Sequence, residues 1–121
     1  MKKLYFSLLT FLFLVVAHAQ IVNIPDPVFK AKLLAASPTG PDNRIASTAT
    51  PVYNLSTYFW TISPYSTIDT NNDGEIQVSE AQAIKSLSLT NCNITNLQGI
   101  ESFTNLIYLS CYLNQLTTLN V

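Results

Sequence analysis

The chain has 121 residues, with 6 basic and 7 acidic side chains, a formal net charge of −1 and a single histidine. That length supports one small domain. The near-neutral balance, with no basic cluster, argues against nucleic acid or an anionic membrane surface as a partner.

Residues 1–19 read as a secretion leader. Lys2 and Lys3 form a positive start, Leu4 to Val16 is an apolar run, and Ala17-His18-Ala19 is a small-x-small cleavage site. The run is shorter than the roughly 20 apolar residues that a membrane span needs, so no membrane anchor is expected. The exported chain, extracellular or periplasmic, would begin at Gln20. Its four basic residues (Lys30, Lys32, Arg44, Lys85) against seven acidic ones leave a net charge of −3.

Asp26-Pro27-Val28-Phe29 is a helix start, with Asp26 as N-cap and Pro27 at the first helical position. Phe29, Leu33 and Leu34 recur at helical spacing, and Pro38 should end the helix near Ser37. Residues 38–51 have loop composition, with Pro38, Gly40, Pro41, Asp42 and Pro51. Val52 to Ile68 suggests one or two short strands and holds Tyr53, Tyr58, Phe59, Trp60 and Tyr65. These aromatics are expected to fill the core beneath a long loop; stacking on sugar rings is the other reading.

Asp69-Thr70-Asn71-Asn72-Asp73-Gly74-Glu75-Ile76-Gln77-Val78-Ser79-Glu80 matches the twelve-residue calcium loop of an EF-hand. Asp69, Asn71 and Asp73 place side-chain oxygens at positions one, three and five, and Gly74 allows the sharp turn at six. Glu75 would offer its backbone carbonyl, Gln77 an amide oxygen or a bridging water, and Glu80 a bidentate carboxylate. Calcium takes six to eight hard oxygen ligands, and this spacing brings them to one point. No helix is expected to enter the loop from residues 60–68, and there is one such loop, so a structural role is expected rather than a sensor's. A short helix over Ser79–Ile84 should follow.

From Ile84 onward a pattern repeats. Ile84, Leu87, Leu89, Cys92, Ile94 and Leu97 align with Leu106, Leu109, Cys111, Asn114, Leu116 and Leu119 at an offset of 22 residues. This is the leucine-rich-repeat pattern, in which alternate strand residues point inward and Asn114 bonds free backbone groups in the turn. Residues 24–121 resemble the N-terminal part of secreted bacterial leucine-rich-repeat proteins with internalin-like repeats. The resemblance is carried by Ile24-Pro25-Asp26-Pro27-Val28-Phe29-Lys30-Ala31, by the acidic loop, and by Leu97-Gln98-Gly99-Ile100-Glu101-x-Phe103-Thr104-Asn105-Leu106. It implies an α/β fold: a short, curved solenoid of parallel strands (residues 84–121) behind a small helical cap (residues 20–83). It also implies an extracellular binding role and no catalysis. A solenoid wants at least three repeats, so a chain of about two reads as truncated.

The outward residues of the repeat strands, Ser86, Ser88 and Thr90, then Tyr108, Ser110 and Tyr112, would line the concave face where such folds bind partners. Tyr108 and Tyr112 lead, because tyrosine combines contact area with a polar tip. Cys92 and Cys111 occupy different repeat positions and are expected as buried thiols rather than a disulfide. The exported chain has no histidine and no paired nucleophile, so no enzyme is expected. The expected function is a secreted protein-binding leucine-rich-repeat module, open also to glycan, whose cap is stabilised by calcium. The alternative is a calcium-dependent attachment domain of an extracellular polysaccharide-degrading enzyme, with Trp60 contacting polysaccharide.

Overall fold

The computed structural model describes residues 19–118; the predicted leader, apart from Ala19, lies outside them, as does Leu119. Among the described residues no helix is long and apolar enough to cross a membrane. Helix α1 (Pro27–Ala35) begins as its sequence requires. Asp26 Oδ1 accepts from the N–H groups of Val28 (2.8 Å) and Phe29 (3.0 Å), satisfying two of the donors that a helix start leaves free. Phe29 and Leu33, one turn apart, are fully buried.

Among the described residues five short strands follow: β1 (Ala46–Ser47), β2 (Val52–Asn54), β3 (Phe59–Thr61), β4 (Ser86–Ser88) and β5 (Tyr108–Ser110), with helix α2 (Val78–Ala83) between β3 and β4. They form two sheets, a three-stranded one in the order β1-β4-β5 and the β2-β3 hairpin. In the first sheet β1 runs antiparallel to β4 and β5 parallel to it. One core joins the N-terminal segment (Val22, Ile24), α1, Ile68, the acidic loop (Ile76), α2 and β4 (Leu87), and continues to Leu89, Ile94, Leu97 and Phe103.

This is a small mixed α/β domain, and the expected solenoid is absent from the described residues. Among the described residues one strand pair is parallel, extended by a single parallel bridge of Asn96 with Thr118. The 22-residue offset is the register of that pair, with Ser86 beside Tyr108, Leu87 beside Leu109 and Ser88 beside Ser110. In a solenoid each coil contacts only its like neighbours. Here the other edge of β4 is taken by antiparallel β1, which belongs to no repeat. The core also draws on residues that belong to no repeat, among them Val22, Ile24, Phe29, Leu33 and Ile76. Two copies of a motif specify a strand pairing; they do not specify a superhelix.

Asn114 holds that pairing at its turn. Its Oδ1 accepts from the N–H groups of Cys92 (3.0 Å) and Ile94 (3.1 Å), and its Nδ2 donates to the carbonyls of Leu89 (2.6 Å) and Cys111 (2.9 Å). Removing it strands four backbone groups that are partly shielded from water. Asn114→Ala is expected to cost about 2 kcal/mol, read as a lower urea midpoint at unchanged slope. Cys92 and Cys111 are free thiols as expected, but half-buried rather than buried.

A second correction concerns the aromatics. Instead of filling the core, β2 and β3 are exposed throughout, with Tyr58 at 76 %, Phe59 at 74 % and Trp60 at 48 % of full exposure. The hairpin closes locally, through Asn54, whose side chain accepts from Ser56 and Thr57 while its carbonyl accepts from Tyr58. A turn that satisfies itself needs no cover, and Phe29, Leu33 and the isoleucines already fill the interior.

Candidate functional site

The acidic loop is folded by its own side chains. Asp69, buried, accepts from the N–H groups of Asp73 (3.2 Å) and Gly74 (3.1 Å). Asn71 Oδ1 also accepts from Asp73 N–H (3.1 Å), and Asp73 Oδ1 from Glu75 N–H (2.9 Å). Gly74 takes φ 79°, the left-handed region that glycine enters freely. Glu80, also buried, reaches back from α2. One of its oxygens accepts from the N–H and hydroxyl of Thr70 (2.8 and 2.9 Å), and the other from Gln77 N–H (3.1 Å). The second contact is half of a capping box at the start of α2.

The remaining candidates divide. Gln77 Nε2 donates to Asp73 Oδ2 at 2.6 Å and Asn71 Nδ2 donates to the same oxygen at 3.1 Å, so two amides hydrogen-bond the most exposed carboxylate of the loop. The Glu75 side chain turns away from the loop to pair with Lys30 of α1 at 2.7 Å, which leaves only its backbone carbonyl for the loop interior. As expected, no helix enters the loop: residues 62–68 are irregular and only α2 leaves it.

Opposite α2 the loop is bound to the N-terminal segment. Val22 N–H donates to the Ile76 carbonyl (2.8 Å) and Val78 N–H to the Gln20 carbonyl (2.8 Å), around an antiparallel bridge of Ile21 with Gln77. Nothing in the sequence pattern signals this pairing, because residues 20–22 carry no loop or turn signature. Among the described residues no three His, Cys, Asp or Glu side chains converge as a metal cluster. The donors that fit calcium here are mixed carboxylate, amide and carbonyl oxygens on a pre-turned loop. In chemistry and order they suit a hard cation, and Asp69, Asn71, Asp73, the Glu75 carbonyl, Gln77 and Glu80 would hold it.

Of the partner-binding candidates, Tyr108 and Ser110 stand two residues apart on one face of β5, while Thr90 and Tyr112 lie just beyond the ends of β4 and β5. Tyr108 and Ser110 are half-buried and Tyr112 is 65 % exposed. Thr90 Oγ1 and Ser110 Oγ are 2.8 Å apart. Ser86, expected to face outward, is fully buried beneath residues 47–49, with its hydroxyl 3.4 Å from the Ala49 carbonyl. Trp60 packs at this end of the sheet, with its ring centroid 5.9 Å from Tyr108 and 5.1 Å from Tyr53. The 48 residues that separate Trp60 from Tyr108 hide this contact from sequence reading.

Asp26 ties α1 to the turn after β4. Besides capping α1, its Oδ2 accepts from Thr95 N–H (2.8 Å), Thr95 Oγ1 (2.9 Å) and Asn96 N–H (3.0 Å). Burial by itself raises a carboxyl's pKa, but the hydrogen bonds from Phe29, Thr95 and Asn96 outweigh it. They hold Asp26 at about 2, below the ordinary 3.8.

The resemblance to secreted leucine-rich-repeat proteins is overturned with the solenoid: the quoted segments form a mixed α/β core, and the acidic loop lacks the converged carboxylate cluster. No family model, curated protein or solved structure matches this chain.

Proposed function

We propose that this chain is an exported, non-catalytic recognition domain. Calcium bound by residues 69–80 ties its parts together, and the sheet face bearing Thr90, Tyr108, Ser110 and Tyr112 meets the partner. The observation that carries the reading is the position of the acidic loop. It is bonded to the N-terminal segment at Ile76 and Val78, to α1 through Glu75 and Lys30, and to α2 through Glu80. An ion held there would reinforce a junction that already joins three segments, and so stabilise the fold. Asp69, Asp73 and Glu80 bring three negative charges to this loop, which a bound dication would offset.

Thermal unfolding followed by circular dichroism, with calcium at about ten times the expected dissociation constant and with chelator, tests this. A lone extracellular site has a dissociation constant on the order of 0.1 mM or weaker. At about 0.1 mM, with about 1 mM calcium, linkage gives roughly 1.4 kcal/mol of stabilisation. Glu80→Gln should lower stability even in chelator, because Thr70 and Gln77 lose a charged acceptor. The informative quantity is therefore the calcium increment, which should fall close to zero in the variant. Equal melting of the wild type with calcium and with chelator would refute the metal reading.

A further inference from the structure

Two features that the calcium reading leaves unused meet on the same sheet face. The first is aromatic. Tyr53 and Trp60 are directly opposite across the β2-β3 hairpin, so their side chains share one face of it. Trp60 then leans on Tyr108 of β5, with the two ring pairs tilted by 57° and 46°. Three rings thus form one partly exposed surface. No charged side chain occurs anywhere in residues 45–68, which are rich in serine and threonine.

The second is a groove of about 440 Å³ whose lining includes Ser88, Thr90 and Asn91 from β4 and the residues after it, and Lys32, Pro41 and Asp42 from α1 and the segment that follows it. Ser88 pairs with Ser110 in the parallel register, one step of two residues beyond the Ser86–Tyr108 pair. Side chains two residues apart share a sheet face, and at the strand rise they are about 7 Å apart. The aromatic surface and the hydroxyl-lined groove therefore adjoin on one face, a separation that a disaccharide spans. Lys32 and Asp42 form no ion pair with each other; among the described residues the only salt bridge is Lys30 with Glu75.

We propose that this composite surface binds a neutral oligosaccharide, one ring stacking on Trp60 and Tyr108 and the next hydrogen-bonding to Ser88, Thr90 and Ser110. The chemistry of the surface selects this ligand. A sugar ring has an apolar C–H face and a hydroxyl rim, so it needs an aromatic plane beside neutral groups that both donate and accept. The Thr90–Ser110 hydroxyl pair can do either. A charged ligand would find no countercharge around the rings, and a hydrophobic peptide would find the groove polar. Lys32 and Asp42, free of one another, add one donor and one acceptor at the rim. The inference rests on the recognition role proposed for this face and is independent of calcium.

Trp60 is the only tryptophan of the chain, so its fluorescence reports directly on the surface. The protein is titrated with laminarihexaose, cellohexaose, xylohexaose and mannohexaose, with hexagalacturonate as the charged control and a random heptapeptide pool as the competing class. A saturable change with at least one neutral hexasaccharide and none with the control is the expected result. By calorimetry, Trp60→Ala and Tyr108→Ala should each weaken that binding about tenfold or more, and Trp60→Phe should retain most of it. Trp60 is exposed, so its substitution should leave the melting temperature near that of the wild type, which separates lost binding from lost fold. Saturation by peptide alone, abolished by Tyr108→Ala, would overturn the oligosaccharide and keep the recognition face. Silence towards every probe would overturn both. Oligosaccharide binding that persists in chelator, in a protein whose melting ignores calcium, would uphold the inference and reject the metal reading alone.

Discussion

Asp26→Ala is expected to lower stability by about 3 kcal/mol, enough to move the melting temperature of a domain this size by roughly 15 °C. The residue does two separate jobs with its two oxygens. Oδ1 caps α1, and loss of a cap costs about 1 kcal/mol. Oδ2 holds the backbone of Thr95 and Asn96 in the turn after β4, 69 and 70 residues away. Hydrogen bonds to a charged acceptor contribute about 1.5–3 kcal/mol, and the exposure of Thr95 to water limits the loss. Thermal unfolding of the variant would measure the sum.

The same contacts give an acid signature with a definite sign. The folded-state pKa of Asp26 is depressed, from 3.8 to about 2. The unfolded chain therefore binds a proton more readily than the folded one. The contribution is fully present above about pH 4 and is lost as the pH falls through about 2. Its size is about 2 kcal/mol at roughly 1.36 kcal/mol per pKa unit. Asp26→Asn removes the titration, so the stability gap between wild type and this variant should shrink as the pH is taken from about 5 to about 2. A gap that stays constant over that range would show that the carboxylate charge does not hold the turn.

Gly99→Ala is the other large effect, again about 3 kcal/mol. Gly99 sits at φ 105°, and a Cβ there would lie 2.8 Å from Ile24 Cγ1 and 2.9 Å from the Asn23 carbonyl oxygen. The backbone of residue 23 cannot move aside without disturbing Val22 and Ile24, both buried. Strain of about 1–2 kcal/mol from the left-handed conformation adds to the overlap. Gly74 is the internal control, since it also has positive φ (79°) but no atom within 4 Å of the point where a Cβ would lie. Gly74→Ala should therefore lose only the conformational part, about 1 kcal/mol. Denaturant unfolding of the two variants separates crowding from dihedral strain; equal losses would mean that the contact with the N-terminal segment is not tight.

Features are legible in this sequence wherever the physics is local. Asp26-Pro27 starts α1 because a cap and a fixed φ act within one turn. Gly74 and the alternating acidic and amide residues of the loop specify its turn, because each carboxylate reaches an N–H only a few residues away. The short helix expected at Ser79–Ile84 occurs as Val78–Ala83, and the 22-residue spacing names the residues of β4 and β5 that stand side by side. The loop's internal hydrogen bonds are likewise short-range, whereas the Glu75 side chain goes to Lys30, 45 residues away.

What the pattern cannot carry is the company these elements keep. A repeated motif constrains the residues inside it, whereas the neighbour on the far edge of β4 is whichever strand has free backbone groups in reach, and that strand is β1. Large rings usually fill small cores, which is why the aromatics of residues 53–60 are expected inside. Here Phe29, Leu33 and the isoleucines already fill that space, and packing volume is a property of the whole chain that no window of sequence reports. Thr95 and Asn96 on Asp26, Val22 on Ile76 and Trp60 on Tyr108 share one cause. Each contact joins segments 48 to 70 residues apart in the sequence, so its partners are set by closure of the common core rather than by spacing. The caps, the turns, the acidic loop and the strand register thus follow from short-range chain chemistry. The mixed sheet, the exposed aromatic hairpin and the contact of Trp60 with Tyr108 exist only once the core has closed, because each depends on which distant segments compete for the same buried volume and the same free strand edge.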